Sequence, residues 1–307
     1  MRLLIGVCSM LALLAAGCTT RSAPDSARIS PVSPTSRSPS AAASTEDSMP
    51  RGPVGTSRPP TPSQLPTHSP SSGVSSEPVS QPSTPLRPLT GDTIVLNPGH
   101  NGGNAADPAA ISRLVPAGFG QYKACDTTGT ETNAGYPEHA FNWDVSLRVS
   151  ALLRAHGVRV IMTRPSDTGV GPCVDERARI GNQAGITAVV SIHADGASSS
   201  GHGFHVCEDS RQPAGPAVAA SSHRLTVALH DALLQGSGLT VSSYLGNNGY
   251  FPRDDLAGLN LATVPATFLE IGNMRNAGDA ALQTSAAGRQ RIAEAVAAGI
   301  LAWLGHR

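Results

Sequence analysis

The chain has no excess of charge of either sign. Over 307 residues, 22 Lys+Arg balance 22 Asp+Glu and the pI is near 7.1. A general nucleic-acid binder is therefore excluded, since it would need a basic face or stripe. The chain also lacks the run of about 20 apolar residues that a bilayer span requires; the stretch Leu3–Ala16 is too short. No internal repeat is present, which excludes a repeat-built anchoring module, and no HExxH pair marks a helical zinc site. Charged residues are scarce at 14% and aromatics at 4%, whereas Gly (32) and Pro (25) are frequent. These averages describe no single part of the chain, because composition changes sharply near residue 90.

What is present divides into three segments. Residues 1–18 read as an export signal, with Arg2 supplying positive charge before the apolar stretch. The stretch ends Leu13-Leu14-Ala15-Ala16-Gly17-Cys18, which resembles a bacterial lipobox. Cys18 is then the lipidated first residue of the mature chain, although Ala15 stands where Leu is favoured. Plain secretion is the alternative. Residues 19–90 form a disordered tether: Ser, Thr and Pro make up about 40 of the 70 residues from Arg21 to Thr90. As a flexible coil it would reach roughly 45 Å on average. Residues 91–307 form one globular domain, long enough to bury a substantial core.

Three cysteines lie in that domain. Export exposes them to oxidising surroundings, where a disulfide is stable. Cys125 and Cys173 both fall in loop-like sequence, and the reading pairs them. Cys207 ends an alternating run and is read as a small buried apolar residue. Three free thiols are the alternative.

Strand-like and helix-like segments alternate. Thr93–Asn97, Val158–Thr163, Ala188–His193, Phe204–Cys207 and Val264–Glu270 read as strands. Helical spacing predicts a helix from Pro137 to Gly157, with Phe141, Val145, Val149, Leu152 and Leu153 on one face. Further helices are expected over 175–185, 218–235 and 280–304. The alternation predicts an α/β fold with a mostly parallel or mixed sheet flanked by helices. Ligands in such sheets bind beyond the carboxyl ends of the strands.

Four polar residues fall at such positions. His100 follows the first strand, His193 ends a middle strand, Glu270 ends a late one and Glu138 opens the first helix. Hydrolytic zinc sites take three protein ligands, often two His and one Glu, and leave a position for water. A further carboxylate then acts as base and acid. Spacing alone does not decide between this and structural roles, since a single His at a strand end is more often a hydrogen-bonded structural residue.

Four blocks carry more information together. They are Leu96-Asn97-Pro98-Gly99-His100-Asn101-Gly102-Gly103, Glu138 opening a helix, Ser191-Ile192-His193-Ala194-Asp195, and Leu269-Glu270-Ile271-Gly272-Asn273. In this order they resemble the zinc-dependent N-acetylmuramoyl-L-alanine amidases of the amidase-3 type. Gly135-Tyr136-Pro137-Glu138-His139 and the Cys125/Cys173 context are most similar to the single-domain mycobacterial branch. The resemblance spans residues 92–304. It implies a six-stranded sheet and one Zn²⁺ held by His100, Glu138 and His193, with Glu270 as the catalytic base. It also implies cleavage between the lactyl group of N-acetylmuramic acid and L-alanine. The expected partners are peptidoglycan or muropeptides and, through Cys18, the outer face of the cell membrane, with the protein a monomer. Two departures stand out. Asn97 replaces the usual Asp, which would orient the first histidine. His205 stands where an acidic residue is common; it is read as a surface or core residue.

Other readings follow from the same residues. A non-catalytic wall-binding lipoprotein would usually have lost a ligand or the base, and all four are here. A zinc peptidase cutting elsewhere in the stem peptide differs only in pocket shape. His139 should point away from Glu138's face. Arg177 either holds substrate carboxylates or makes a salt bridge. Asp255 is read as a helix cap, and Tyr250, Phe251 and Asn273 as candidates to line a groove. His202, His223, His230 and His306 are read as surface residues. The segment 101–135, with Arg113 and Lys123, is expected to form a gate or specificity loop.

Overall fold

A computed structural model describes residues 89–306. The expected signal 1–18, Cys18 and nearly all of the tether lie outside the described residues. Among the described residues no helix is long and apolar enough to cross a membrane.

The core is a five-stranded sheet in the order β4-β1-β5-β7-β6. Its strands are β1 (Thr93–Pro98), β4 (Arg159–Met162), β5 (Ala188–Asp195), β6 (His205–Cys207) and β7 (Ala266–Asn273). The first, fourth, fifth and seventh run parallel; β6 is antiparallel to β7 at one edge. A separate hairpin joins β2 (Leu114–Pro116) and β3 (Tyr122–Ala124). The helices are α1 (Pro108–Ser112), α2 (Glu138–Ala155), α3 (Val174–Gly181), α4 (Pro216–Gly236), α5 (Ala257–Asn260), α6 (Ala277–Thr284) and α7 (Ala286–His306).

Alternate strand residues point to opposite faces. Ile94, Leu96, Val190, Ile192, Leu269 and Ile271 face one side, in a core with Phe141, Val145, Leu225, Leu229, Val296 and Ile300 of α2, α4 and α7. Val95, Val189, Phe268 and Cys207 face the other side and meet a smaller cluster with Leu259 of α5. Asn97, Ser191, His193, Glu270 and His205 share that second face by register. Among the described residues it is covered by the short helices α3 and α5 and by loop residues such as Ile186, Phe251 and Val264, and its carboxyl end stays open.

The α/β class and mixed sheet hold, with two changes of detail. The sheet has five strands, the same five segments legible in the sequence, where the family resemblance implied six. The chain beside β6 meets it through isolated bridges, Val206–Tyr250 and Asp209–Arg253, rather than a continuous strand. The single helix expected over 280–304 is two. The chain turns extended at Ser285 (φ −84°, ψ 140°), whose hydroxyl accepts from the Gly288 N–H and caps α7.

The cysteine pairing is Cys125–Cys173, with Cys207 buried and free. The bridge ties the end of the hairpin to the residue before α3. Asp255 caps nothing: α5 starts after Leu256 without a side-chain cap, and Asp255 instead pairs with Arg253 at 2.6 Å. His230 is buried at 3% exposure, not on the surface, stacked on Tyr250 and bonded to Asn248 O. His205 is also buried, against Tyr244 and Phe251.

Candidate metal centre and catalytic cleft

The chain leaves β1 through Pro98 and Gly99. A side chain on Gly99 would fall onto the His193 ring, so this turn requires glycine. The next residue, His100, sits in the left-handed region (φ 58°), which non-glycine residues rarely adopt. That conformation aims its imidazole back over the strand ends. Its Nδ1 lies 2.9 Å from Asp126 Oδ1 and 3.1 Å from Thr127 O. Both are acceptors, so Nδ1 carries a proton and Nε2 faces inward. Nε2 lies 3.3 Å from Glu138 Oε2.

Glu138 is the first residue of α2, where the helix N-terminus favours a carboxylate. Its Oε2 accepts from Thr130 N at 2.9 Å, and its Oε1 accepts from Asn142 Nδ2 at 3.2 Å and Ala194 N at 3.3 Å. Oε1 also lies 2.9 Å from His193 Nδ1. His193, near the end of β5, stacks on Phe268 with ring centroids 4.3 Å apart. One donor atom from each of His100, Glu138 and His193 falls within 4.8 Å of the others.

Electrostatics follow from burial and charge. Burial works against a charge on His100, but Glu138 and Asp126 outweigh it and raise the pKa to about 10. Burial also opposes charge on Glu138, yet the two histidines hold it well below the usual carboxylate range. His193 is pushed down by burial. Asp126 falls to about 2: burial opposes this, but His100 and Arg177 prevail. A negative carboxylate between two imidazoles, compensated by a proton, is the charge pattern of a site suited to a cation.

Glu270 is beside His193 in register and beside His205 on its other flank. Its Oε2 is buried without a hydrogen-bond partner among the described residues. Burial, then the nearby Glu138 and Asp195, raise its pKa well above the ordinary value. Two clefts meet at His100, Thr127, His193 and Glu270. The larger, about 610 Å³, runs past Gly129, Glu131, Asp195 and Arg275; the smaller, about 240 Å³, runs past Lys123, Leu256 and Phe268.

The four blocks therefore converge, but the surrounding roles differ from expectation. Asn97 does not reach His100. Its amide donates to Ser191 Oγ, and its oxygen accepts from Thr163 Oγ1 and Arg177 Nη1. The carboxylate that orients His100 is Asp126, which spacing could not reveal; its one sequence mark is that it follows Cys125. Arg177 makes the salt bridge rather than facing solvent. It is 4% exposed, donating to Asp126 Oδ2 at 3.1 Å and to the carbonyls of Pro98 and His100. His139 pairs with Asp167 at 2.8 Å on the cleft wall. Tyr250 and Phe251 pack on His230 and His205 instead of lining the groove. Asn273 is fully buried, bonding Ala197 N, Ser198 O and Gly201 O. The 101–135 segment supplies Asp126 and the Thr127–Thr130 wall.

Comparison with known proteins agrees with this geometry. Residues 94–302 match the Amidase_3 family, described as N-acetylmuramoyl-L-alanine amidase. The chain is 45% identical over 216 residues to an N-acetylmuramoyl-L-alanine amidase of Mycobacterium tuberculosis, covering 70% of this chain and 88% of that one. It is similar to the crystal structure of the amidase Ami1 from Mycobacterium smegmatis, with 46% identity and a TM-score of 0.69, covering 72% of this chain and 100% of the other. The amidase AmiC2 of Nostoc punctiforme, 24% identical with a TM-score of 0.53 over 70% of this chain and 97% of that one, shares the fold.

Proposed function

The chain belongs to the N-acetylmuramoyl-L-alanine amidase family, and from that premise we propose that His100, Glu138 and His193 hold one zinc ion and that Glu270 is its catalytic base. The protein hydrolyses the amide between the lactyl group of N-acetylmuramic acid and L-alanine in peptidoglycan. The observation that carries the site assignment is the half-buried Glu270, whose buried Oε2 has no hydrogen-bond partner among the described residues, lining the same cleft as the His-Glu-His set.

The donor set fits the metal. Two imidazole nitrogens and one carboxylate oxygen make a three-ligand hydrolytic site. His193 Nδ1 lies 2.9 Å from Glu138 Oε1 and His100 Nε2 lies 3.3 Å from Glu138 Oε2, and one donor atom from each of the three residues falls within 4.8 Å of the others, close enough to share one ion. Asp126 behind His100 supplies the outer carboxylate that fixes a ligating imidazole. Zinc bound there would lower the pKa of a coordinated water toward about 7 and polarise the amide carbonyl.

The residues of the chain do the rest. Glu270, whose Oε2 has no hydrogen-bond partner among the described residues, would be favoured in its ionised form by a cation in the His-Glu-His set and accepts a proton from the attacking water. It then delivers that proton to the alanine nitrogen, without which the amine cannot leave. Phe268 shields one face of His193 from solvent, and Asp126 with Arg177 holds His100 in its inward orientation. Export of the domain and a lipid on Cys18, tethered through residues 19–90, would keep the enzyme near peptidoglycan by local concentration.

The test is mass spectrometry of a muramyl peptide incubated with the full-length protein. Stem peptide freed at its L-alanine amine, lost with chelator, restored by Zn²⁺ and absent with Glu270→Ala, is the expected result. Cleavage at another peptide bond would overturn the bond assignment and leave the metal site standing. Bound zinc without any cleavage of dipeptide or sacculi would favour a binding module.

A further inference from the structure

Arg275 stands apart from the other arginines near the site. Arg164 and Arg177 are buried and paired with Asp167 and Asp126, and Arg148 and Arg289 share Asp144. Arg275 lines the larger cleft, is half-buried, and has no carboxylate partner among the described residues. Among the described residues its one side-chain hydrogen bond is to a neutral amide, Asn133 Oδ1 at 3.4 Å. The backbone is fixed more firmly than the side chain. Its N–H donates to Asn273 Oδ1 at 3.0 Å, and its carbonyl accepts from Asn133 Nδ2 at 3.2 Å. A guanidinium is thus held at a set place on the cleft wall with donors to spare.

The rest of that wall is acidic or neutral. Apart from histidines, Arg275 is the only basic residue lining the larger cleft, against Glu131, Glu138, Asp195 and Glu270. The smaller cleft lacks Arg275 and is lined instead by Leu256, Phe268, Val174 and Lys123. The two clefts meet at Glu270, so a substrate whose scissile amide lay there would have room for one half in each. The peptide half carries carboxylates. Its second residue, a γ-linked D-glutamate, bears an α-carboxyl that is free or amidated, about 7 Å beyond the cleaved bond for two extended residues.

We propose that Arg275, braced by Asn133, binds this α-carboxyl when it is free, places the stem peptide in the larger cleft and sets a preference for acid over amide at that position. A planar guanidinium engages a carboxylate through two parallel bonds, and an amide offers one acceptor with no charge. The proposal rests on the amidase reading above.

The experiment compares two muramyl dipeptides, N-acetylmuramoyl-L-alanyl-D-glutamate and its α-amide, with the full-length protein. Wild type should favour the acid by about tenfold in kcat/KM, mostly through KM. Arg275→Gln should bring the ratio near one, chiefly by raising KM for the acid. Arg275→Lys, which keeps the charge but not the fork, should retain part of the ratio. Arg224→Gln, an exposed arginine on α4, should leave it unchanged. Equal cleavage of both dipeptides by wild type, or an unaltered ratio in Arg275→Gln, overturns the role of Arg275 while upholding the amidase reading. Cleavage of neither dipeptide by wild type that still cleaves sacculi overturns the role of Arg275 alone, and failure on sacculi as well overturns both.

Discussion

The two faces of one sheet divide the labour between them. Leu269 and Glu270 are adjacent on β7, yet Leu269 is fully buried among the aliphatic residues of the face under α2, α4 and α7, and Glu270 stands in the cleft on the other. The same holds on β5, where Ile192 joins the large core and His193 the donor cluster. The thick face spends its side chains on dispersion and water exclusion. The thin face, under two short helices, can leave polar groups unpaired at the strand ends. A period of two lets a single strand do both, provided register is fixed.

The sharpest attack on this division is a pair of neighbouring substitutions. Glu270→Gln should lower kcat by about 10²–10⁴-fold with the melting temperature unchanged or raised, because an acid whose buried Oε2 lacks a partner among the described residues is removed. Leu269→Ala should do the reverse: a loss of about 2–5 kcal/mol in denaturant unfolding, with zinc content and turnover per folded molecule retained. Equal damage to both properties from either variant would break the comparison. Replacing both cysteines of the 125–173 bridge, which closes a loop of separation 48, should cost about 4 kcal/mol on the chain-entropy account, seen as an earlier urea midpoint. Asp126→Asn should weaken zinc binding about 10–100-fold in competition with a chromophoric chelator, with a small change in stability.

The smallest expected effect concerns pH. His205, on the thin face, has its pKa pushed by burial from 6.5 down to about 4. The unfolded chain therefore binds this proton more readily than the folded one. Stability from this residue is whole above pH 6.5 and is lost as pH falls toward 4, about 1 kcal/mol or less of it at pH 6. Unfolding measured between pH 7 and 5 should show this slope, and His205→Phe should flatten it.

What was legible in the sequence follows the same division. The five strands of the sheet were plain because short apolar runs and, at Phe204–Cys207, an alternating one leave few alternatives. The four blocks at the strand ends were plain because a family resemblance joined residues far apart in the chain. Asp126 and Arg177 were not, since their partnership depends on a loop fold that no local period encodes. Asn97 misled for a related reason: it lies next to the turn bearing His100, but its pleat directs it to Thr163, Ser191 and Arg177. The break at Ser285 was hidden because the alanine-rich sequence on both sides is equally helical.

Gly99 carries a consequence for how the gene can vary. Any side chain at this position would occupy the space of the His193 imidazole. Every missense change in that codon therefore disturbs a donor of the cluster. An inhibitor built to rest against Gly99 would touch a surface from which resistance by local substitution is closed off.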